Sequence, residues 1–124
     1  MKYLVTGGAG FIGSNIVDRL LAEGNEVIVY DDFSTGKELF IAHHADKKAF
    51  TLITGDGLDT GRLIGAMRDV EFVFHMSAHA DVREGFIDHQ IDHVQNLEGT
   101  RSVLEAMHKA GVKKMAFAST SSVY

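Results

Sequence analysis

The stretch Gly7-Gly8-Ala9-Gly10-Phe11-Ile12-Gly13 has the composition and spacing of a phosphate cradle. It reads as GxxGxxG through Gly7, Gly10 and Gly13, or as GxGxxG through Gly8, Gly10 and Gly13. The physics is common to both. The backbone turns tightly, a pyrophosphate approaches without meeting a Cβ, and a helix packs close to the strand before it. The helix N-terminus then offers free N–H groups and a partial positive charge to the anion. Asp31 lies 21 residues beyond Gly10, with Asp32 next to it. A carboxylate at that spacing accepts a hydroxyl of an adenosine ribose. It also repels a 2′-phosphate, and Lys37 is the only cation in the following loop. The pattern predicts a dinucleotide site with NAD preferred over NADP.

Other residues offer weaker chemistry. Ser119 to Ser122 form a run of four hydroxyls behind the apolar stretch Met115–Ala118. Ligands bind at the carboxyl ends of strands in open α/β sheets, which favours a site there over a plain loop. Of seven histidines, His43 and His44 are adjacent, and His89 and His93 are four apart on an expected helix. Such pairs suit a metal, but no HExxH motif and no acidic third ligand is evident along the chain. The expectation is surface histidines and no metal. His75, at the end of an apolar strand, is expected to be buried and hydrogen-bonded, whereas His79 falls in a loop that would line the cofactor. Asp18-Arg19 and Lys113-Lys114 are expected to be solvated charges.

The elements that must position these residues alternate along the chain. Apolar runs at 3–5, Val27–Tyr30, Phe50–Thr54, Phe72–Phe74 and Met115–Ala118 predict five buried strands. Phe11, Ile12, Ile16, Val17, Leu20 and Leu21 recur at helical spacing and end at Gly24, a C-cap residue. A helix is expected over Lys37–Ala45 and another over Leu58–Arg68, the latter with Leu63, Ile64 and Met67 inside. The stripe Ile87, Ile91, Val94, Leu97, Val103, Leu104 and Met107 predicts a long helix from Phe86 to Ala110, broken only at Gly99 and capped by Gly111. Strands without clean alternation, separated by helices, predict an α/β fold. The expected architecture is a doubly wound parallel sheet of Rossmann type, in strand order 3-2-1-4-5.

With 124 residues the chain suits one domain, and its 45% hydrophobic content can build a core. A net charge of −5 argues against nucleic acid or an anionic membrane as partner. There is no cysteine, which fits a reducing cytoplasm, and neither a membrane span nor a signal peptide is evident.

The blocks VTGGAGFIGSNIVDRLLAEGNEVIVYDDFSTG, GDGLD, FHMSAHADVR and NLEGTRSVLEAMHKAGVKKMAFASTSSVY resemble, in order, those of the extended short-chain dehydrogenase/reductases. The likeness covers the whole chain and is strongest to the NAD-dependent epimerase/dehydratase family, its UDP-glucose 4-epimerase members in particular. The resemblance implies roles at matching positions. Gly7, Gly10 and Gly13 would form the pyrophosphate turn, with Phe11 and Ile12 beside it, and Asp31, with Asp32, would face the ribose. Asp56 would contact the adenine amine. Its neighbour is usually a bulky aliphatic but here is Gly57, which shifts the ring contact to Leu58 or loosens it. Ala78 and Ala80 match the small-residue loop passing the cofactor phosphates. Asn96 matches a residue that orders the sheet and active site. Thr120 matches the catalytic hydroxyl that hydrogen-bonds the reacting sugar.

In this family a tyrosine and a lysine spaced YxxxK act together, the ammonium lowering the phenol pKa so that the phenol takes the substrate proton. Tyr3 and Tyr30 are followed four places on by Gly7 and Ser34, and Tyr124 is the last residue and matches the tyrosine of an SxVY block. No YxxxK is present. The resemblance therefore implies that residues 1–124 are the NAD-binding part of a longer nucleotide-sugar enzyme, truncated before its catalytic pair and substrate domain, and inactive alone. The parent would epimerise a nucleotide sugar by transient hydride transfer to NAD, in the cytoplasm. In relatives the helix matching Ile87–Met107 joins a homodimer interface. Two other readings stay open: a nucleotide-sugar dehydratase, or a non-catalytic dinucleotide-binding or sensing module.

Overall fold

A computed structural model of the chain describes residues 1–77 and 93–118. Its described elements run β1 (Lys2–Thr6), α1 (Phe11–Ala22), β2 (Glu26–Asp31), β3 (Phe50–Thr54), α2 (Thr60–Ala66), β4 (Phe72–His75), α3 (Gly99–Ala110) and β5 (Met115–Phe117). The five strands form one parallel sheet in the order β3-β2-β1-β4-β5, as expected. In register, Leu4 faces Ile28 on one side and Val73 on the other, and Phe74 faces Ala116.

The strands are continuous apolar runs because the central ones are buried on both faces. Alternate residues divide between two cores. Leu4, Ile28, Tyr30 and Val73 pack with Leu63, Ala66 and Met67 of α2 and Val103, Ala106 and Met107 of α3. Val5, Val27 and Val29 pack on the opposite face with Val17 and Leu20 of α1.

The helix ends follow local chemistry. Gly24 adopts φ +85° after α1, with its N–H bonded to the Leu21 carbonyl and that of Asn25 to Leu20. Gly111 repeats this after α3 at φ +79°, and Val112 closes the cap onto Met107 and buries its own side chain. Asp59 caps α2 by accepting the Arg62 N–H at 3.1 Å.

Several expectations need correction. No helix spans Lys37–Ala45. Two single 3₁₀ turns, Glu38–Phe40 and Ala42–His44, stand there instead. The segment's apolar residues mostly find no core to receive them, and only Ile41 and His44 within it are buried. α2 is shorter than Leu58–Arg68, since Asp59 starts it and Leu58 stays 41% exposed at the cleft mouth. The long C-terminal helix is not uniform. His93–Glu98 is a π-helical turn, and the α-helix proper begins at Gly99. β5 ends at Phe117, one residue early. Expectations on residues 78–92 and 119–124, including Ala78, His79, Ala80, His89, Thr120 and Tyr124, lie outside the described residues. No helix among the described residues is long and apolar enough to cross a membrane.

Candidate dinucleotide site

The carboxyl ends of β1, β2, β3 and β4 open onto one cleft, lined by Thr6, Tyr30, Asp31, Asp32, Gly55, Asp56, Gly57, Leu58, His75, Ser77 and Gly99 among others. The glycine turn between β1 and α1 borders it. Gly7 sits at φ +69°, and a Cβ there would lie 2.8 Å from the Ser77 nitrogen. A Cβ on Gly8 would lie 2.7 Å from Val29 Cγ1, and one on Gly13 would land on the Gly7 carbonyl oxygen. These three positions exclude a side chain for packing reasons alone. Gly10, the N-cap residue just before α1, is the looser one, its Cβ position 3.3 Å from Gly7 O. No side chain caps α1 at Gly10. Among the described residues no side chain caps the first-turn N–H groups of the helix, the arrangement that suits a bound anion. Phe11 and Ile12 flank that end and are 74% and 64% exposed.

Asp31 ends β2 and is buried. Its Oδ2 accepts the Ala9 N–H at 2.9 Å and its Oδ1 the Phe33 N–H at 2.8 Å. The carboxylate thus fastens the glycine turn to the loop after β2. Each oxygen has a second lone pair, so the group can still accept a hydroxyl. The loop is further tied to the turn by Lys37 N–H to the Ala9 carbonyl at 2.9 Å, and Gly36 packs so closely on Ala9 that a Cβ would lie 2.9 Å from it. Phe33, in the same loop, holds φ +62°, a strained value for a bulky residue. Asp32 is exposed and differs from its neighbour: its Oδ1 accepts both the N–H and the hydroxyl of Ser34.

Asp56 begins the turn after β3, and its Oδ1 accepts the Leu58 N–H at 2.8 Å. A Cβ on Gly57 would meet nothing within 4 Å, so the departure at this position leaves room, with exposed Leu58 beside it. One positioning residue is missed by sequence reasoning. Tyr30 is buried in β2, and its hydroxyl donates to the Asp56 carbonyl at 2.6 Å, pinning the turn that carries Asp56. Burial pushes the Tyr30 phenol up to about 12, with Asp59 adding to the effect. The only sequence signal was a tyrosine ending an otherwise aliphatic strand.

His75 is buried as expected, and the structure supplies its partners. Its Nδ1 lies 2.6 Å from Thr6 Oγ1 and its Nε2 3.0 Å from Thr100 Oγ1. Thr6 Oγ1 also accepts the Ser77 N–H, so the Thr6 hydroxyl proton is free to point at Nδ1 and the ring donates from Nε2. Burial pushes the imidazole down to about 4. The ring is therefore neutral at pH 7. It links β1, β4 and α3 at the floor of the cleft. Asn96 lies in the π-helical turn, one turn before Thr100. Such turns are frequent at functional sites.

Residues 3–124 match the model of the NAD-dependent epimerase/dehydratase family. The chain belongs to this family. It is 40% identical to a UDP-glucose 4-epimerase of Mycolicibacterium smegmatis over its full length, while spanning 40% of that relative. The solved UDP-glucose 4-epimerase of Brucella ovis, in complex with NAD, superposes at a TM-score of 0.90 with 33% identity, over 99% of this chain and 37% of that one. A dTDP-glucose 4,6-dehydratase of Streptomyces venezuelae, a double mutant with NAD bound, superposes at 0.88 with 33% identity, over 93% and 38%. The chain thus spans about two fifths of the length of each of these three relatives.

Proposed function

We propose that residues 1–124 are the NAD-binding part of a nucleotide-sugar epimerase of the UDP-glucose 4-epimerase kind. The observation that carries this reading is the Ala9–Asp31 hydrogen bond, which locks a turn with no room for side chains against the carboxylate that ends β2. The donor set fits NAD. The first-turn N–H groups of α1 would hold the pyrophosphate, with Gly7, Gly10 and Gly13 giving it backbone access and Phe11 and Ile12 flanking it. Asp31 would accept a ribose hydroxyl and, by charge, reject a 2′-phosphate, while Asp32 sets the loop behind it. Asp56 would accept from the adenine amine, and Leu58, in place of a side chain at Gly57, would cover the ring. Ala78 and Ala80 would pass the phosphates, Asn96 would order the sheet beside the site, and Thr120 would hydrogen-bond the sugar hydroxyl. When bound, NAD supplies a hydride acceptor for the carbon bearing that hydroxyl.

The sequence contains no YxxxK pair. The 124-residue chain is therefore proposed to bind NAD without turning over a nucleotide sugar. Calorimetric titration should give tighter binding of NAD than of NADP, and equal or tighter NADP binding overturns the specificity assigned to Asp31. Clear epimerisation of UDP-glucose by the chain alone overturns its inactivity. Likeness to the dTDP-glucose 4,6-dehydratase supports a second reading, a nucleotide-sugar dehydratase. Mass analysis of the product of a longer form separates the two: an epimerase leaves the sugar's mass unchanged, whereas a dehydratase removes one water.

A further inference from the structure

The outer flank of α1 carries a side-chain cluster with no part in the dinucleotide cleft. Asp18, midway along α1, lies 25 and 26 residues from two adjacent histidines in the second 3₁₀ turn. His43 Nε2 lies 3.0 Å from Asp18 Oδ1, and His44 Nε2 lies 2.5 Å from the same oxygen. The two rings are close and tilted, with centroids 3.9 Å apart and planes at 44°. His44 is 3% exposed and rests against Phe50. One ligand atom from each residue lies within 4.8 Å of the other two. The acidic third ligand that no spacing along the chain reveals is therefore supplied by the fold, and Asp18 is not the freely solvated charge its position suggests.

We propose that Asp18, His43 and His44 form a divalent-cation site of zinc type, which clamps the loop after β2 onto α1. Two imidazole nitrogens and a carboxylate oxygen are a common three-residue donor set for zinc, with water at the fourth position. Zinc–ligand bonds of about 2.0–2.1 Å at tetrahedral angles set neighbouring donors roughly 3.3 Å apart. The two separations from Asp18 Oδ1, 3.0 and 2.5 Å, are somewhat shorter than that value, so ligation needs the donors to part slightly by small side-chain movements. Two of the three groups, His43 and Asp18, have half-exposed side chains and are free to make them.

Lys47 is the competitor. Its Nζ lies 3.0 Å from His44 Nδ1. An ammonium only donates, so Nδ1 accepts and the ring proton sits on Nε2, where it is given to Asp18. A metal on Nε2 requires that proton to move to Nδ1 or leave, and Lys47 then loses its acceptor. Lys47 is exposed and can turn to water. Its charge and its hydrogen bond both oppose the cation, so removing it favours the metal.

The test titrates the 124-residue chain with Co²⁺, following the visible bands of a tetrahedral N/O site, and then displaces Co²⁺ with Zn²⁺. The expected result is one site per chain, weakened about tenfold or more in Asp18→Asn and in His43→Ala, and tightened several-fold in Lys47→Ala. All three replaced side chains are at the surface, so the variants keep the core intact, and circular dichroism checks this. At one fixed concentration, Zn²⁺ should raise the melting temperature of the unaltered chain more than that of Asp18→Asn. No tetrahedral band, or a band equally strong in Asp18→Asn and His43→Ala, overturns the site. An unchanged affinity in Lys47→Ala overturns the competition.

Discussion

His75 and His44 are equally buried, each 3% exposed, and sit at opposite flanks of the sheet in opposite surroundings. Among the described residues, the side-chain partners of His75 are two hydroxyls and an aromatic ring, Phe117, at the floor of the cleft. Burial acts on it unopposed, and the ring stays neutral well below pH 7. His44 points at a carboxylate. There the effect is read on the partner: although burial raises Asp18, hydrogen bonds from His44 and then His43 outweigh it and lower the carboxyl below its usual 3.8. The same residue type, at the same exposure, is a fixed strut in one region and a hydrogen-bond donor to a carboxylate in the other. The cleft is built largely from backbone, with glycine contacts that admit no Cβ. The flank of α1 is built from side chains that can move. Preorganisation belongs to the first region and adaptability to the second.

The contrast breaks hardest at the glycine turn. Gly13→Ala places a Cβ on the Gly7 carbonyl oxygen. The expected result is a stability loss of about 3 kcal/mol by denaturant unfolding and no measurable NAD binding, since α1 must shift away from β1. A variant that binds NAD normally would mean that the turn is not preorganised.

His75 comes next. Its pKa falls from 6.5 unfolded to about 4 folded. The unfolded chain therefore binds more protons between those values, and stability rises with pH. The contribution is complete above pH 6.5 and is lost as pH falls toward 4, with an upper bound of about 3 kcal/mol. Unfolding measured across this window should lose that slope in His75→Gln, which retains hydrogen-bonding capacity for Thr6 and Thr100. An unchanged slope would assign it to other groups.

Asp31→Ala removes two charge-assisted hydrogen bonds that tie the turn to its neighbouring loop. A stability loss of about 2 kcal/mol is expected, together with a weaker preference for NAD over NADP in competition titrations. Asp31→Asn should restore part of the stability and none of the discrimination, which separates the positioning role of the carboxylate from its charge.

The smallest effect is at Asp18. Its side chain is 47% exposed, so solvent screens the pair with His43 and His44. In the metal-free chain, Asp18→Asn should cost under about 1 kcal/mol at pH 7. A lowered carboxyl pKa stabilises above its unfolded value of 3.8 and the benefit disappears as pH falls through the lower folded one, so the variant and the parent should converge only below that folded value. A large loss at pH 7 would make this flank as rigid as the cleft.

The sheet was readable because its signals are local. The strands are short apolar runs punctuated by glycine and aspartate. α1 shows its buried face in one 12-residue window. The alternation of elements then leaves few topologies, and the 3-2-1-4-5 order followed. Segment 37–45 was misread because a few apolar residues at roughly helical spacing do not ensure a helix when no core receives them. The π-helical turn before Gly99 was not legible either, because its one-residue widening leaves the apolar stripe almost in phase.

The candidate dinucleotide site divides in the same way. The glycine spacing and the distance from Gly10 to Asp31 lie within one strand–helix–strand unit, so the sequence by itself determined where the turn and its carboxylate would meet. What the sequence left open is every contact made across units. Tyr30 reaching Asp56, His75 bridging Thr6 and Thr100, and Asp18 receiving both His43 and His44 were decided by tertiary structure alone. These partners are 25 to 69 residues apart and follow no period. They meet because parallel strand pairing returns each crossover to the same edge of the sheet, and burial then leaves each polar side chain only the partners that this packing brings within reach.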